Sequence, residues 1–189
     1  MNGPLRLATG NAGKAAELGR LLGRPVEPVP GWDPPQETGT TFLENARIKA
    51  RAGARACPHA WVVADDSGLE VDALGGAPGV HSARYGGDGL DDAGRVQALL
   101  DALRGVDDRT ARFVCVLVAI APGGAEHVAA GSLEGRVADA PRGAGGFGYD
   151  PILIPVGDTR TCAELTPAEK DALSHRGAAA RELRAALAL

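Results

Sequence analysis

Strand and helix signals alternate along this chain, which predicts a mixed α/β fold. Three observations carry the prediction. An apolar run from Leu5 to Thr9 leads through Gly10 into Ala12 to Leu22, where Ala15, Leu18, Leu21 and Leu22 recur at helical spacing. A second apolar run, Trp61 to Ala64, has the length of a buried strand and is followed by Leu69 to Leu74, where Leu69, Val71 and Ala73 alternate with Glu70 and Asp72. Finally, Thr41-Phe42-Leu43-Glu44 and Thr166-Pro167-Ala168-Glu169 both place Thr and Glu at capping-box spacing, so a helix starts at each.

The remaining elements follow in order. Pro25 to Gln36, with five prolines, reads as irregular and exposed. The helix begun at Thr41 runs to about Cys57, because Pro58 cannot continue it, and Phe42, Asn45 and Lys49 share one of its faces. Asp65 to Gly68 interrupts the central stretch, and Gly75 to Gly79 reads as a loop. A helix is expected from about Leu90 to Leu103 and a central strand from Thr110 to Ala121. Pro122 to Gly124 makes a hairpin turn into two short strands, Glu126 to Ala130 and Ser132 to Val137. A glycine-rich loop spans Arg142 to Gly148, and Ser174 caps an amphipathic helix from Ala178 to Leu187.

Composition narrows the class. A chain of 189 residues is long enough for one domain, 1–189, with a substantial core. The net charge of −4 and an aromatic content of 4% argue against nucleic-acid binding, which favours basic surfaces and stacking side chains. Cys57, Cys115 and Cys162 form no CxxC pair, so neither a disulfide framework nor a zinc site is indicated. The longest apolar run, Val114 to Ala121, is too short to span a bilayer, and the N-terminus has no signal-peptide pattern. A cytoplasmic protein that avoids membranes is the expectation. Of the 20 basic residues only Lys14, Lys49 and Lys170 are lysines, which marks three positions where a compact ammonium is retained.

The chemistry-bearing stretches each admit two readings. Asp65-Asp66 at a strand end needs a cation beside it, an Arg, a Lys or a hard divalent metal, or else simply forms a turn with Ser67 and Gly68. Thr9-Gly10-Asn11-Ala12-Gly13-Lys14 joins a strand to a helix start, a setting for anion binding, or is a plain turn. It is not a Walker A loop, since the glycine spacing is shorter and Ala15 follows the lysine. Glu44 caps a helix and becomes more only if a cation lies near. Phe147, held between glycines with Asp150 three residues on, stacks on a flat ligand or packs in the core. Lys14, Lys170 and the His175-Arg176 pair all fall in first turns, where the dipole disfavours cations. Their repetition points to a bound polyanion where they converge, and the carboxylates point to a divalent metal bridging protein and phosphates.

In order along the chain, TGNAGK at 9–14, TFLENARIKA at 41–50, ADDSGLEVDALGGAPGVHSARY at 64–85, GGFGYDP at 145–151, and ELTPAEK with SHR at 164–176 resemble the inosine/xanthosine triphosphate pyrophosphatase (Ham1-like) family of nucleotide house-cleaning enzymes. Two small departures are His81, where a tyrosine is common, and the undiagnostic segment 25–36. The resemblance implies an elongated α/β fold, a mixed central sheet flanked by helices, with two lobes around a substrate cleft. It implies a homodimer that uses Mg²⁺ and hydrolyses ITP, dITP and XTP to the monophosphate and pyrophosphate. By position, Thr9, Asn11 and Lys14 would hold the triphosphate, and Glu44 and Asp66 the metal. Asp66 would also be the proton acceptor, with Asp65 in support. Ser67 would touch substrate, Phe147, Gly148, Tyr149 and Asp150 would pack around the base, and Lys170, His175 and Arg176 would close the pocket. Arg176 is the donor expected to meet the O6 acceptor of a 6-oxo purine.

Overall fold

The computed structural model describes residues 5–188. Six strands form one mixed sheet in the order β2-β1-β3-β4-β5-β6: β1 Leu5–Leu7, β2 Val26–Pro28, β3 Trp61–Val71, β4 Thr110–Ile120, β5 Glu126–Val137 and β6 Leu153–Pro155. β1 pairs in parallel with β2 and β3, whereas β5 and β6 are antiparallel. The helices are α1 Ala12–Leu22, α2 Phe42–Ala56, α3 Asp92–Ala102, α4 Pro167–Leu173 and α5 His175–Leu187. The α/β class with a mixed sheet is therefore borne out.

The chain divides into two compact units. One runs to Asp66 and resumes over Cys115–Gly131 and from His175; the other is Ser67–Val114 with Ser132–Ser174. In the first unit, Leu5, Leu7, Val63, Leu117 and Ala119 of the strands bury against Leu18 and Leu22 of α1 and Ala179, Ala180 and Leu183 of α5. In the second, Leu69, Val71, Phe113, Val137 and Leu153 bury against Val96 and Leu99 of α3, with Tyr149 and Ile152 completing the cluster.

Local chemistry sets the helix ends. The Asn11 side chain accepts from the Lys14 N–H at the start of α1, and Gly23, at φ 64°, ends it in the left-handed region. Both capping boxes form, at Thr41–Glu44 and Thr166–Glu169. The predicted face of α2 is also present: Phe42, Asn45 and Lys49 are all buried.

Three expectations are corrected. First, β3 does not break at Asp65; it continues through Asp65, Asp66, Ser67 and Gly68 to Val71. Turn-forming residues can stay extended here because buried cations, described below, answer the two carboxylates. Second, the strands expected on either side of Gly131 are one strand. A Cβ at Gly131 would strike the His175 carbonyl and the Ala179 N–H of α5, so the glycine permits close helix packing and ends nothing. Ala130 N–H also donates to Glu182 of α5 at 2.8 Å. Third, the proline-rich stretch contains β2 and buries Val29. Pro28 is tolerated there because β2 is an edge strand.

Candidate active site

Successive residues of a strand face opposite sides of a sheet, so Asp65 and Asp66 are delivered to different helices. Asp65 shares the face of Val63, towards α1 and α5. Lys14 Nζ of α1 lies 2.8 Å from Asp65 Oδ2, and Arg176 Nε of α5 lies 3.8 Å from the same oxygen. Arg176 Nη1 donates to Glu17 Oε2 at 2.6 Å, so α1 and α5 are joined by a buried ion pair. Asp66 faces α2 instead. Lys49 Nζ donates to Asp66 Oδ1 at 3.1 Å and lies 2.9 Å from Glu37 Oε1. The other oxygen, Asp66 Oδ2, is buried and has no hydrogen-bond partner among the described residues.

These surroundings push the acidities of the neighbours apart. Burial alone would raise Asp65, but Lys14, Arg176 and Lys49 together hold its carboxyl well below the usual range. Burial dominates at Asp66, with repulsion from Glu37 added, and raises it despite Lys49. Lys49 stays charged: burial opposes that, and the attraction of Asp65, Asp66 and Glu37 outweighs it. One carboxylate is thus held in its charged form, while its neighbour takes up a proton more readily than an ordinary aspartate. The thiols offer no alternative nucleophile at Cys115 or Cys162, since burial pushes each up to about 12.

The other expected phosphate-side residues lie in the same unit. Thr9 Oγ1 accepts from the Asn11 N–H at 3.2 Å, so these two side chains order the turn between β1 and α1. Glu44 is exposed on the first turn of α2. Its bonds from Thr40 and Thr41 all go to Oε2 and lower its pKa, the Thr40 N–H contributing most. His175 and Arg176 are both buried at the start of α5. Of the first-turn cations, Lys14 and Arg176 do converge, on a carboxylate of the chain itself. The guanidinium expected to read O6 is only 2% exposed and is engaged by Glu17.

The second unit holds the remainder. Lys170 Nζ donates to Asp150 Oδ2 and lies 5.3 Å from the centroid of the Phe147 ring. Asp150 Oδ2 also accepts from the Phe147 N–H at 2.8 Å. Gly146, at φ 72°, has no room for a Cβ, which would collide with the Asp150 carboxylate. Tyr149 is a core residue: it is buried in the apolar cluster, and its hydroxyl donates to the Ser82 carbonyl at 2.9 Å. It anchors the loop, in which Phe147 is half-buried. Ser67, half-buried in β3, opens this unit.

Sequence reasoning assigned no role to Glu17, Glu37 or Lys49. Glu17 carries a signal in hindsight, since it lies three residues after Lys14 on the same helix face. Lys49 stood out as one of three lysines. Glu37 lies in an irregular segment without periodicity and offers none.

An α/β protein that sets lysines and unequal carboxylates around the strand–turn–helix start and the middle of β3 is equipped to handle phosphate esters or anhydrides. Residues 5–186 match the model of the Ham1 family, and the chain belongs to that family. It is similar to the dITP/XTP pyrophosphatase of Gloeobacter violaceus, 50% identical over 182 residues that cover 95% of this chain and 91% of the relative. The enzyme of that name from Nocardia farcinica is also 50% identical, over 193 residues covering 96% and 93%. Among solved structures, the Ham1 protein of Staphylococcus aureus superposes with a TM-score of 0.88 at 39% identity, covering 98% of each chain. The nucleoside-triphosphatase (dITP/XTP pyrophosphatase) of Mycobacterium abscessus gives 0.78 at 45% identity, covering 99% of this chain and all of its own.

Proposed function

We propose that this chain hydrolyses the deaminated purine nucleotides ITP, dITP and XTP to the monophosphate and pyrophosphate, and so cleans the nucleotide pool. The observation that carries this reading is the Asp65–Asp66 pair on opposite faces of β3: Asp65 is 2.8 Å from Lys14 Nζ and is held charged by Lys14, Arg176 and Lys49, whereas burial and Glu37 raise Asp66, whose Oδ2 has no partner among the described residues. Membership of a family with dITP/XTP pyrophosphatases at half identity supports the substrate class.

Asp66 takes a proton from the attacking water, its unpartnered Oδ2 being the acceptor. The water oxygen bonds to the α-phosphorus, the α–β bridging bond breaks, and pyrophosphate carries that bond's electron pair away. Lys14 and the first turn of α1 balance negative charge on the phosphates, and Thr9 and Asn11 shape the turn that receives them. Asp65 aims Lys14 across their 2.8 Å contact. In the second unit, Phe147 offers a face for the purine to stack on and Lys170 borders it. Asp66 and Glu44 would hold Mg²⁺, which supplies charge neutralisation on the phosphate oxygens. The donors suit that ion, which is commonly held by one or two carboxylates with waters and substrate phosphates, and Asp66 Oδ2 is a buried carboxylate oxygen without a partner among the described residues. A cytoplasmic homodimer completes the proposal; no described helix is long and apolar enough to cross a membrane.

Pyrophosphate release from ITP, XTP, GTP and ATP, with and without Mg²⁺, tests the reading. The expected result is metal-dependent release from ITP and XTP, faster than from ATP by about 10- to 100-fold, the scale of one hydrogen bond gained or lost at the purine 6-position. Orthophosphate as the product would overturn it. Binding of ITP without turnover would instead indicate a nucleotide sensor.

A further inference from the structure

If the purine stacks on Phe147, the loop that presents that ring must be held in place. Two of its amides are tied. The Phe147 N–H is bound from within the loop by Asp150. The Gly148 N–H donates at 2.8 Å to Asp92 Oδ2, which lies in the first turn of α3, 56 residues away in sequence. Gly148 itself is in the left-handed region, at φ 62°, so its amide direction is set by a turn that L-residues rarely adopt. Asp92 Oδ1 accepts from Arg95 Nη1 at 3.1 Å, which steadies the carboxylate. A first-turn acid ordinarily serves the helix. Here the cap is already supplied by Asp91, whose side chain accepts from the Gly94 N–H at 2.8 Å. Asp92 is therefore spare as a cap and is committed to the loop. Tyr149, the next residue, is held independently through its hydroxyl on Ser82.

We propose that Asp92 is a positioning residue for base recognition: it latches the Gly148 peptide and so fixes Phe147 for the purine. This rests on the reading above, in which the loop receives the base. The bonds of Asp92 go to the Gly148 N–H and to Arg95, so its loss is expected to be felt by ligands that carry a base. Asparagine keeps an acceptor oxygen and serves in its place.

The test compares Asp92→Ala, Asp92→Asn and Phe147→Ala for KM and kcat with ITP, and for inhibition by inorganic tripolyphosphate, which has no base. Asp92→Ala is expected to raise KM about tenfold, the scale of one charge-assisted hydrogen bond. Its kcat stays within about twofold and tripolyphosphate inhibition is unchanged. Asp92→Asn recovers most of the loss, and Phe147→Ala raises KM at least as much as Asp92→Ala. An unchanged KM in Asp92→Ala beside a raised one in Phe147→Ala overturns the latch and leaves the base-binding loop standing. No change in either variant overturns the loop's assignment, and the latch with it. Equal weakening of ITP and tripolyphosphate, without rescue by asparagine, means Asp92 merely supports α3. If Asp92→Ala does not fold, Asp92→Ser, too short to reach the amide, replaces it against Asp92→Asn.

Discussion

Asp66→Asn is expected to slow pyrophosphate release from ITP by about 10²- to 10⁴-fold, the usual contribution of a positioned general base. Asparagine preserves the shape of the side chain and leaves Lys49 an acceptor, but it takes up no proton and carries no charge for a metal. The fold should tolerate the change. Burial already disfavours the charged form of Asp66, and Lys49 keeps its second carboxylate at Glu37, 2.9 Å away. The variant should therefore melt within a few degrees of the parent while turnover collapses. A variant that keeps a third of parental kcat would remove Asp66 from the chemistry.

Asp65→Asn should have the opposite signature, with its largest effect on stability. Asp65 is fully buried and faces both Lys14 and Arg176. Removing one partner of a buried ion pair costs about 3–5 kcal/mol, because the cations left behind have lost their compensation. Glu17 still answers Arg176, and Lys14 is partly solvated, which places the expectation at the lower end, about 3 kcal/mol by urea unfolding at pH 7. The pH dependence follows from the lowered folded-state pKa of Asp65. Its stabilising contribution is complete above the unfolded carboxylate value, about 3.9, and is lost as pH falls through the lower folded value. The stability gap between parent and variant should thus be constant from pH 7 to about 5 and narrow below about 4. A gap that widened on acidification would contradict the assignment.

These two aspartates also show how far the sequence could be read. Local signals were sound where local chemistry decides the outcome. The bounds of α1, the end of α2 before Pro58, and both capping boxes depend on residues within a few positions of one another. Asp65–Gly68 was different. Asp, Ser and Gly are common in turns, and only the long-range arrival of Lys14, Lys49 and Arg176 lets β3 run through them. Gly131 likewise read as a break, because its reason, the closeness of α5, lies more than forty residues downstream. The short edge strand β2 was hidden among prolines, since pairing with β1 is non-local and leaves no periodicity.

The candidate site followed the same division. The stretches bearing Lys14, Glu44, Asp65, Asp66 and Phe147 stood out by residue type and spacing. Among their surroundings, three acids did not. Glu17, Glu37 and Asp92 act through contacts that close over 159, 12 and 56 positions, and an acid on a helix face or in a loop looks like solvated surface until its partner is known. Tyr149, which the resemblance places around the base, has its ring in the second core cluster, a burial that no local signal in the sequence announces.

The central claim is that water attacks the α-phosphorus with Asp66 as acceptor. Hydrolysis of ITP in ¹⁸O-enriched water, followed by mass spectrometry of both products, tests it most directly. Attack at the α-phosphorus puts one ¹⁸O in the monophosphate and none in pyrophosphate. Label in pyrophosphate would move the attack to the β-phosphorus, and labelled orthophosphate would move it to the γ-phosphorus; either would contradict the account.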